Sequence, residues 1–215
     1  AKDGMNRWHR LLLCFLFAPL CLAIPARAQS NGVLREVWLN LGGSAVADLT
    51  NAPAFLDPPN SDEVLTNGFA APQDVYENYG QRLRALLIPP ATGNYYFLIA
   101  SDDASQLFLG TNNTPAGKRL IASVDGWTGS RSYHQQASQK SAALPLTAGQ
   151  RYYLEALMKE GGGSDNLAVT WQKPGDTEPA DNSAPIPNAN LVPYGLGPPV
   201  FTLHSLELGN FVGLL

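Results

Sequence analysis

Two adjacent carboxylates, Asp102 and Asp103, are the residues of this chain whose spacing most clearly calls for chemistry. They follow the strand-like run Gly93-Asn94-Tyr95-Tyr96-Phe97-Leu98-Ile99-Ala100. Neighbouring carboxylates at the end of an apolar strand repel each other and lose solvation, so something must compensate them. A hard divalent cation with oxygen ligands is the simplest compensation. The competing reading is a turn in which Asp102 caps backbone amides and Asp103 faces water.

Other chemistries are poorly served. His134 stands alone, with no Cys, His or paired acid at ligand spacing, which favours a surface or structural role. Glu155 lies in a strand-like run and Glu160 just beyond it. Nothing in the sequence makes them converge as the two carboxylates of a glycosidase. The chain contains no G-x-S-x-G, no H-E-x-x-H and no phosphate-cradling glycine loop. Trp127, in Gly126-Trp127-Thr128-Gly129, offers either an exposed aromatic face for a pyranose ring or a core side chain. Arg131 and Tyr133 follow it and would line the same loop, whereas Trp38 and Trp171 sit in strand-like runs and read as core. Asn112-Asn113-Thr114 is an N-glycosylation sequon.

The elements that must position these residues are short and β-rich. Runs at Val33–Leu41, Arg82–Ile88, Tyr95–Ala100, Gln106–Leu109, Arg119–Val124, Ser141–Leu146, Arg151–Met158 and Asn166–Trp171 alternate with Gly, Pro, Asn and Asp clusters. That pattern predicts an all-β antiparallel sandwich or barrel of two sheets. Pro145 marks Ser141–Leu146 as an edge strand. Asp48–Pro72, rich in Pro, Asn and Asp, reads as a long ordered loop, and Pro174–Pro199 as an extended closing segment.

Residues 1–28 have the layout of a secretory signal peptide: Lys2, Arg7 and Arg10, then the apolar Leu11–Ile24, then Ala26-Arg27-Ala28. The expected organisation is therefore leader 1–28, β-domain 29–195, and 196–215 as linker and start of a further module. Both cysteines, Cys14 and Cys21, fall in the leader, so the expected exported domain carries no disulfide and no thiol chemistry. Beyond residue 28, ten Lys/Arg face seventeen Asp/Glu. An acidic chain without a basic cluster argues against nucleic acid and anionic membranes, and suits cations and neutral ligands.

Several segments, taken in order, resemble the protective-antigen fourteen domain shared by anthrax-type toxins, yeast flocculins and adhesins, and bacterial glycosidases. They are Leu34–Trp38, Gly93–Phe97, Ser101-Asp102-Asp103, Leu120–Val124 with Gly126-Trp127-Thr128, Ser138–Ser141, Ala148–Leu157 and Lys159–Trp171. The resemblance spans roughly Val33 to Tyr194. It implies two antiparallel sheets and, as in the sugar-binding members, calcium held by a cis-linked Asp102-Asp103 pair. A second loop would complete the ion's ligands. Here that loop is Gly161–Asn166, where Asp165 and Asn166 offer oxygens among glycines. The implied function is exported, non-catalytic, calcium-dependent glycan binding in adhesion or targeting. Asp102, Asp103, Trp127, Arg131 and Asn166 would touch the sugar. The alternative within the same family is a spacer or protein-interaction domain that binds no sugar.

Overall fold

The computed structural model describes residues 31–195. The expected leader and the expected trailing module lie outside these residues. Ten strands form two antiparallel sheets. The larger has the order β2-β1-β3-β8-β5-β6, with β10 (Leu191–Pro193) also pairing with β3; the smaller has the order β7-β4-β9. In the larger sheet β1 is Val33–Trp38, β2 Ser61–Leu65, β3 Tyr79–Leu87, β5 Ser105–Leu109, β6 Arg119–Val124 and β8 Tyr152–Glu160. In the smaller, β4 is Gly93–Asp102, β7 Leu144–Leu146 and β9 Asn166–Gln172.

The core follows from period-two alternation. Leu83, Ala85 and Leu87 of β3, and Leu154, Ala156 and Met158 of β8, face Tyr95, Phe97 and Ile99 of β4 and Val169 and Trp171 of β9. Trp171 tilts against both Tyr95 and Phe97. Strand β8 is buried along its whole length. Its outer face is covered as well, by the short helix α1 (Val46–Thr50) and the chain around it. Gly80 makes this possible, because a Cβ there would fall 2.4 Å from Leu49 Cδ1. Trp38 is buried, as expected of a strand tryptophan, and packs tilted against Phe55.

One sequence expectation changes in detail. The segment Asp48–Pro72 is not simply a loop, for it holds the end of α1, a single 3-10 turn at Pro53–Leu56 and the edge strand β2. Ser61, Asp62 and Glu63 hide this strand from a hydrophobicity reading because they are exposed. What makes it a strand is backbone pairing to β1, with charge keeping the edge soluble. Pro145 sits, as expected, on the edge strand β7.

Two connections matter for function. The chain crosses from the small sheet to the large one between β4 and β5, and back again between β8 and β9. Because β4 pairs with β9 and β5 pairs with β8, the two corners lie side by side at one end of the sandwich. The first corner carries Asp102 and Asp103, and the second Gly161 to Asp165.

Strand β4 must be held rigidly to aim its terminal acids. Truncating the fully buried Phe97 to alanine should destabilise the domain by about 3–5 kcal/mol. Urea unfolding checks this, and a loss below about 1 kcal/mol would contradict the packing.

Candidate functional site

The paired corners bring three carboxylates together. One carboxylate oxygen from each of Asp102, Asp103 and Glu160 lies within 4.8 Å of the others. Asp102 ends β4, paired with Asn166 at the start of β9, and the peptide bond from Asp102 to Asp103 is cis. Glu160 ends β8 and is fully buried. The corners are also stitched reciprocally: the Asp103 amide donates to Glu160 Oε2 at 2.9 Å, and the Gly161 amide donates to Asp103 Oδ2 at 3.0 Å. Gly161 suits this approach, since a Cβ there would sit 3.3 Å from both Asp103 Oδ2 and the Gly43 carbonyl.

From sequence, Glu160 stands out only as a partner for Glu155. Five residues apart on one strand, the two point to opposite faces. Glu155 is on the outer face, bonded to Lys118 and Tyr153, while Glu160 turns inward to the corner. The available signal was positional: Glu160 ends its strand as Asp102 ends β4, but only the topology shows that those ends meet.

The remaining residues divide. Asp165 is buried outside the carboxylate trio, and its Oδ2 accepts the amides of Val75 (2.9 Å) and Tyr76 (3.2 Å). Asn166 is buried beside Asp102, and its Nδ2 donates to the Thr128 carbonyl at 3.3 Å. Thr128 in turn donates its amide to the Ser101 carbonyl at 2.7 Å, which fastens the Trp127 loop to the strand end. Trp127 is 64% exposed, so the core reading of this tryptophan fails. Arg131 is half-buried and lines a neighbouring groove with Pro72 and Gln73, while Tyr133 packs under the small sheet. His134 is a surface residue between Asp181 and Glu178, as its isolation suggested. A groove of about 290 Å³ opens beside Ala104, between Ser44–Ala47 and Val124–Gly126.

Among the described residues, five buried side-chain polar atoms lack a partner, and three belong here: Glu160 Oε1, Asp165 Oδ1 and Asn166 Oδ1. All three are acceptor oxygens. Buried unpaired acceptors cost about 1–3 kcal/mol each and call for a donor or a cation. The charge state points the same way. Burial, then Asp103, then Asp165 push the Asp102 carboxyl up to about 6. Burial, then Asp103 and Asp102, push Glu160 up to about 7. The only donors are hard oxygens and most are anionic, a set that fits calcium and offers no nitrogen or sulfur to a softer metal.

Fold and site together define an all-β sandwich with an acidic corner at one end. The model of the PA14 domain matches residues 30–184, and the chain belongs to that family. It is 33% identical over 151 residues to N-acetyl-beta-glucosaminyl-glycoprotein 4-beta-N-acetylgalactosaminyltransferase 1 of Mus musculus, covering 68% of this chain and 14% of that protein. It is 28% identical over 138 residues to fibrocystin of Canis lupus familiaris, covering 60% of this chain and 3% of that protein. The chain thus spans a small part of the length of these relatives. Among solved structures it resembles the PA14 sugar-binding domain of an RTX adhesin, with a TM-score of 0.52 and 14% identity over 73% of this chain and 99% of that one. It also resembles the epithelial adhesin 9 A domain of Candida glabrata in complex with Galb1-4GlcNAc, with a TM-score of 0.51 and 13% identity over 69% and 84%. At these identities the likeness is one of fold.

The acidic corner predicts a pH signature in chelated protein. Asp102 and Glu160 bind protons more tightly folded than unfolded, where their reference values are 3.8 and 4.5. The stability this contributes is full below those reference values and is lost as pH rises through about 6 and about 7. In EDTA, the stability of Glu160→Gln relative to wild type should therefore rise between pH 5 and pH 8. Urea melts across that range measure the difference, and a constant or falling one would contradict the site's electrostatics.

Proposed function

We propose that this domain is a non-catalytic carbohydrate-binding module of an exported protein, and that it holds calcium at the Asp102–Asp103 corner to do so. The observation that carries the reading is the convergence of three carboxylates beside two buried acceptor oxygens, Glu160 Oε1 and Asn166 Oδ1, that no protein donor satisfies. Asp102, Asp103 and Glu160 would hold the ion, with Asn166 offering its free carbonyl oxygen. Asp165 would brace the second corner through the Val75 and Tyr76 amides. When bound, calcium supplies a Lewis-acidic seat for vicinal sugar hydroxyls.

The chain's own residues would do the rest. Trp127 presents an exposed aromatic face, suited to the apolar side of a pyranose ring, on a loop tied to the same strand end. The groove beside Ala104 gives room for the sugar to extend past the ion. The reading is supported by the family and by two solved structures of like fold, an adhesin's PA14 sugar-binding domain and an adhesin domain in complex with Galb1-4GlcNAc. The mouse relative's name places it, too, among proteins that act on glycans. The layout of residues 1–28 supports export. A single such site should bind weakly, and strength would come from multiple copies.

Calcium at a hundredfold excess over its Kd should stabilise the chain by about 2.7 kcal/mol. Asp102→Asn and Glu160→Gln should each remove most of that gain. Trp127→Ala should keep the calcium response and lose binding on a glycan array. Calorimetry and thermal melts with calcium and with chelator measure all three. No calcium heat and no shift in Tm would sink the calcium reading; an array blank in calcium would leave a spacer domain instead.

A further inference from the structure

The interior of this sandwich contains a line of polar groups that its apolar core does not need. Arg35 of β1 is 3% exposed. Its Nε donates to Gln81 Oε1 at 2.7 Å, its Nη1 donates to Glu63 Oε1 at 2.8 Å, and its Nη2 has no partner. Gln81 and Tyr79, both on β3, are fully buried. The Gln81 Nε2 donates to the Tyr79 hydroxyl at 3.2 Å and to Met158 Sδ at 3.3 Å. A buried guanidinium, amide and phenol inside a hydrophobic sheet pair cost solvation that apolar residues would not. The line runs from the β2 edge, where Glu63 is half exposed, inward to the end of β3, where Tyr79 is paired with Glu160 of β8.

Two groups at that end lack a partner. The Tyr79 hydroxyl accepts from Gln81, so its own proton needs an acceptor. Asp165 Oδ1 is buried and needs a donor. The Tyr79 ring also meets Tyr76 edge-on at 5.5 Å, and the Tyr76 amide donates to the other oxygen of Asp165. The hydroxyl is kept neutral by burial first and by the Asp165 carboxylate next, with Arg35 acting in the opposite direction.

We propose that Tyr79 is a positioning residue for the acidic corner: its hydroxyl, oriented by Gln81 and Arg35, donates to Asp165 Oδ1 and so fixes Asp165 between the Asp74–Glu77 loop and β9. Asp165 then acts as the brace rather than as an ion ligand. The Asp74 amide donates to the Asp165 carbonyl and the Asp165 amide donates to Asp74 Oδ1, each at 3.2 Å, so the brace clamps two segments at once. Asn166, the next residue, inherits its place beside Asp102 from this clamp.

The consequence for ion affinity rests on the calcium reading, so the test has a second readout that does not. In the full chain with EDTA, amide hydrogen exchange followed by NMR should show the Val75 and Tyr76 amides exchanging about tenfold faster in Tyr79→Phe than in wild type. Core amides such as Leu83 and Phe97 should keep their wild-type rates. In the cycle of Tyr79→Phe, Asp165→Asn and the double variant, the double variant should exchange no faster than Asp165→Asn alone. Calcium titration should show Kd raised about tenfold in Tyr79→Phe. Unchanged protection of Val75 and Tyr76, additive acceleration in the double variant, or global unfolding of Tyr79→Phe would each overturn the assignment. A wild-type chain that gives no calcium heat would sink the calcium reading, while the amide rates still decide the role of Tyr79.

Discussion

Negative charge held out of water at the crossing of two sheets is the constraint on which the site depends. A β-sandwich whose neighbouring strands change sheets together must place two corners side by side. Here both corners carry acids. Glu160 accepts the Asp103 amide and Asp103 accepts the Gly161 amide, and these two bonds lock the sheets together at that end. Backbone donors satisfy one oxygen of each of these acids and leave Glu160 Oε1 and Asn166 Oδ1 without partners. A fold stable enough to tolerate that arrangement draws its stability elsewhere, from the apolar faces of β3, β4, β8 and β9.

That division of labour explains why the elements around the corner are so densely tied. Thr128 pairs with Ser101, Asn166 reaches Thr128, and the Ser101 hydroxyl donates to the Asp103 carbonyl at 2.6 Å while accepting from Ser105 Oγ at 2.7 Å. Behind Glu160, the buried Lys159 extends to the opposite face and donates to the Gly43 carbonyl at 2.6 Å and the Glu160 carbonyl at 2.5 Å. Its ammonium is held below the usual lysine range by burial. One strand end thus presents an anion inward and a cation outward. Loops near a binding site are often its softest parts. Here the corner is braced by backbone pairing and buried side chains, as a site that must hold several oxygens at fixed spacing requires.

Much of this was legible in the sequence, and the gaps have physical causes. The all-β class, the Asp pair and most strands follow from local alternation and turn residues, which a sequence states directly. Strand β2 did not, because Ser61-Asp62-Glu63 carries no hydrophobic signal and becomes a strand only by pairing with β1. Glu160 was visible as an acid but not as a member of the trio, since its partners lie 57 and 58 residues away in the chain. Asp165 reads from sequence as an ion ligand, whereas its position one residue before β9 sends its carboxylate to the Val75 and Tyr76 amides. Trp127 was open between core and surface until the fold settled it as exposed. Local pattern shows which residues are able to act; topology decides which of them meet.

The most direct measurement is a crystal structure of the chain grown with calcium, with anomalous data to locate the ion. The account predicts one anomalous peak at the corner, held by oxygens of Asp102, Asp103 and Glu160, with Asp165 still bonded to the Val75 and Tyr76 amides. A water molecule among protonated carboxylates at that position, or calcium bound only elsewhere, would contradict it.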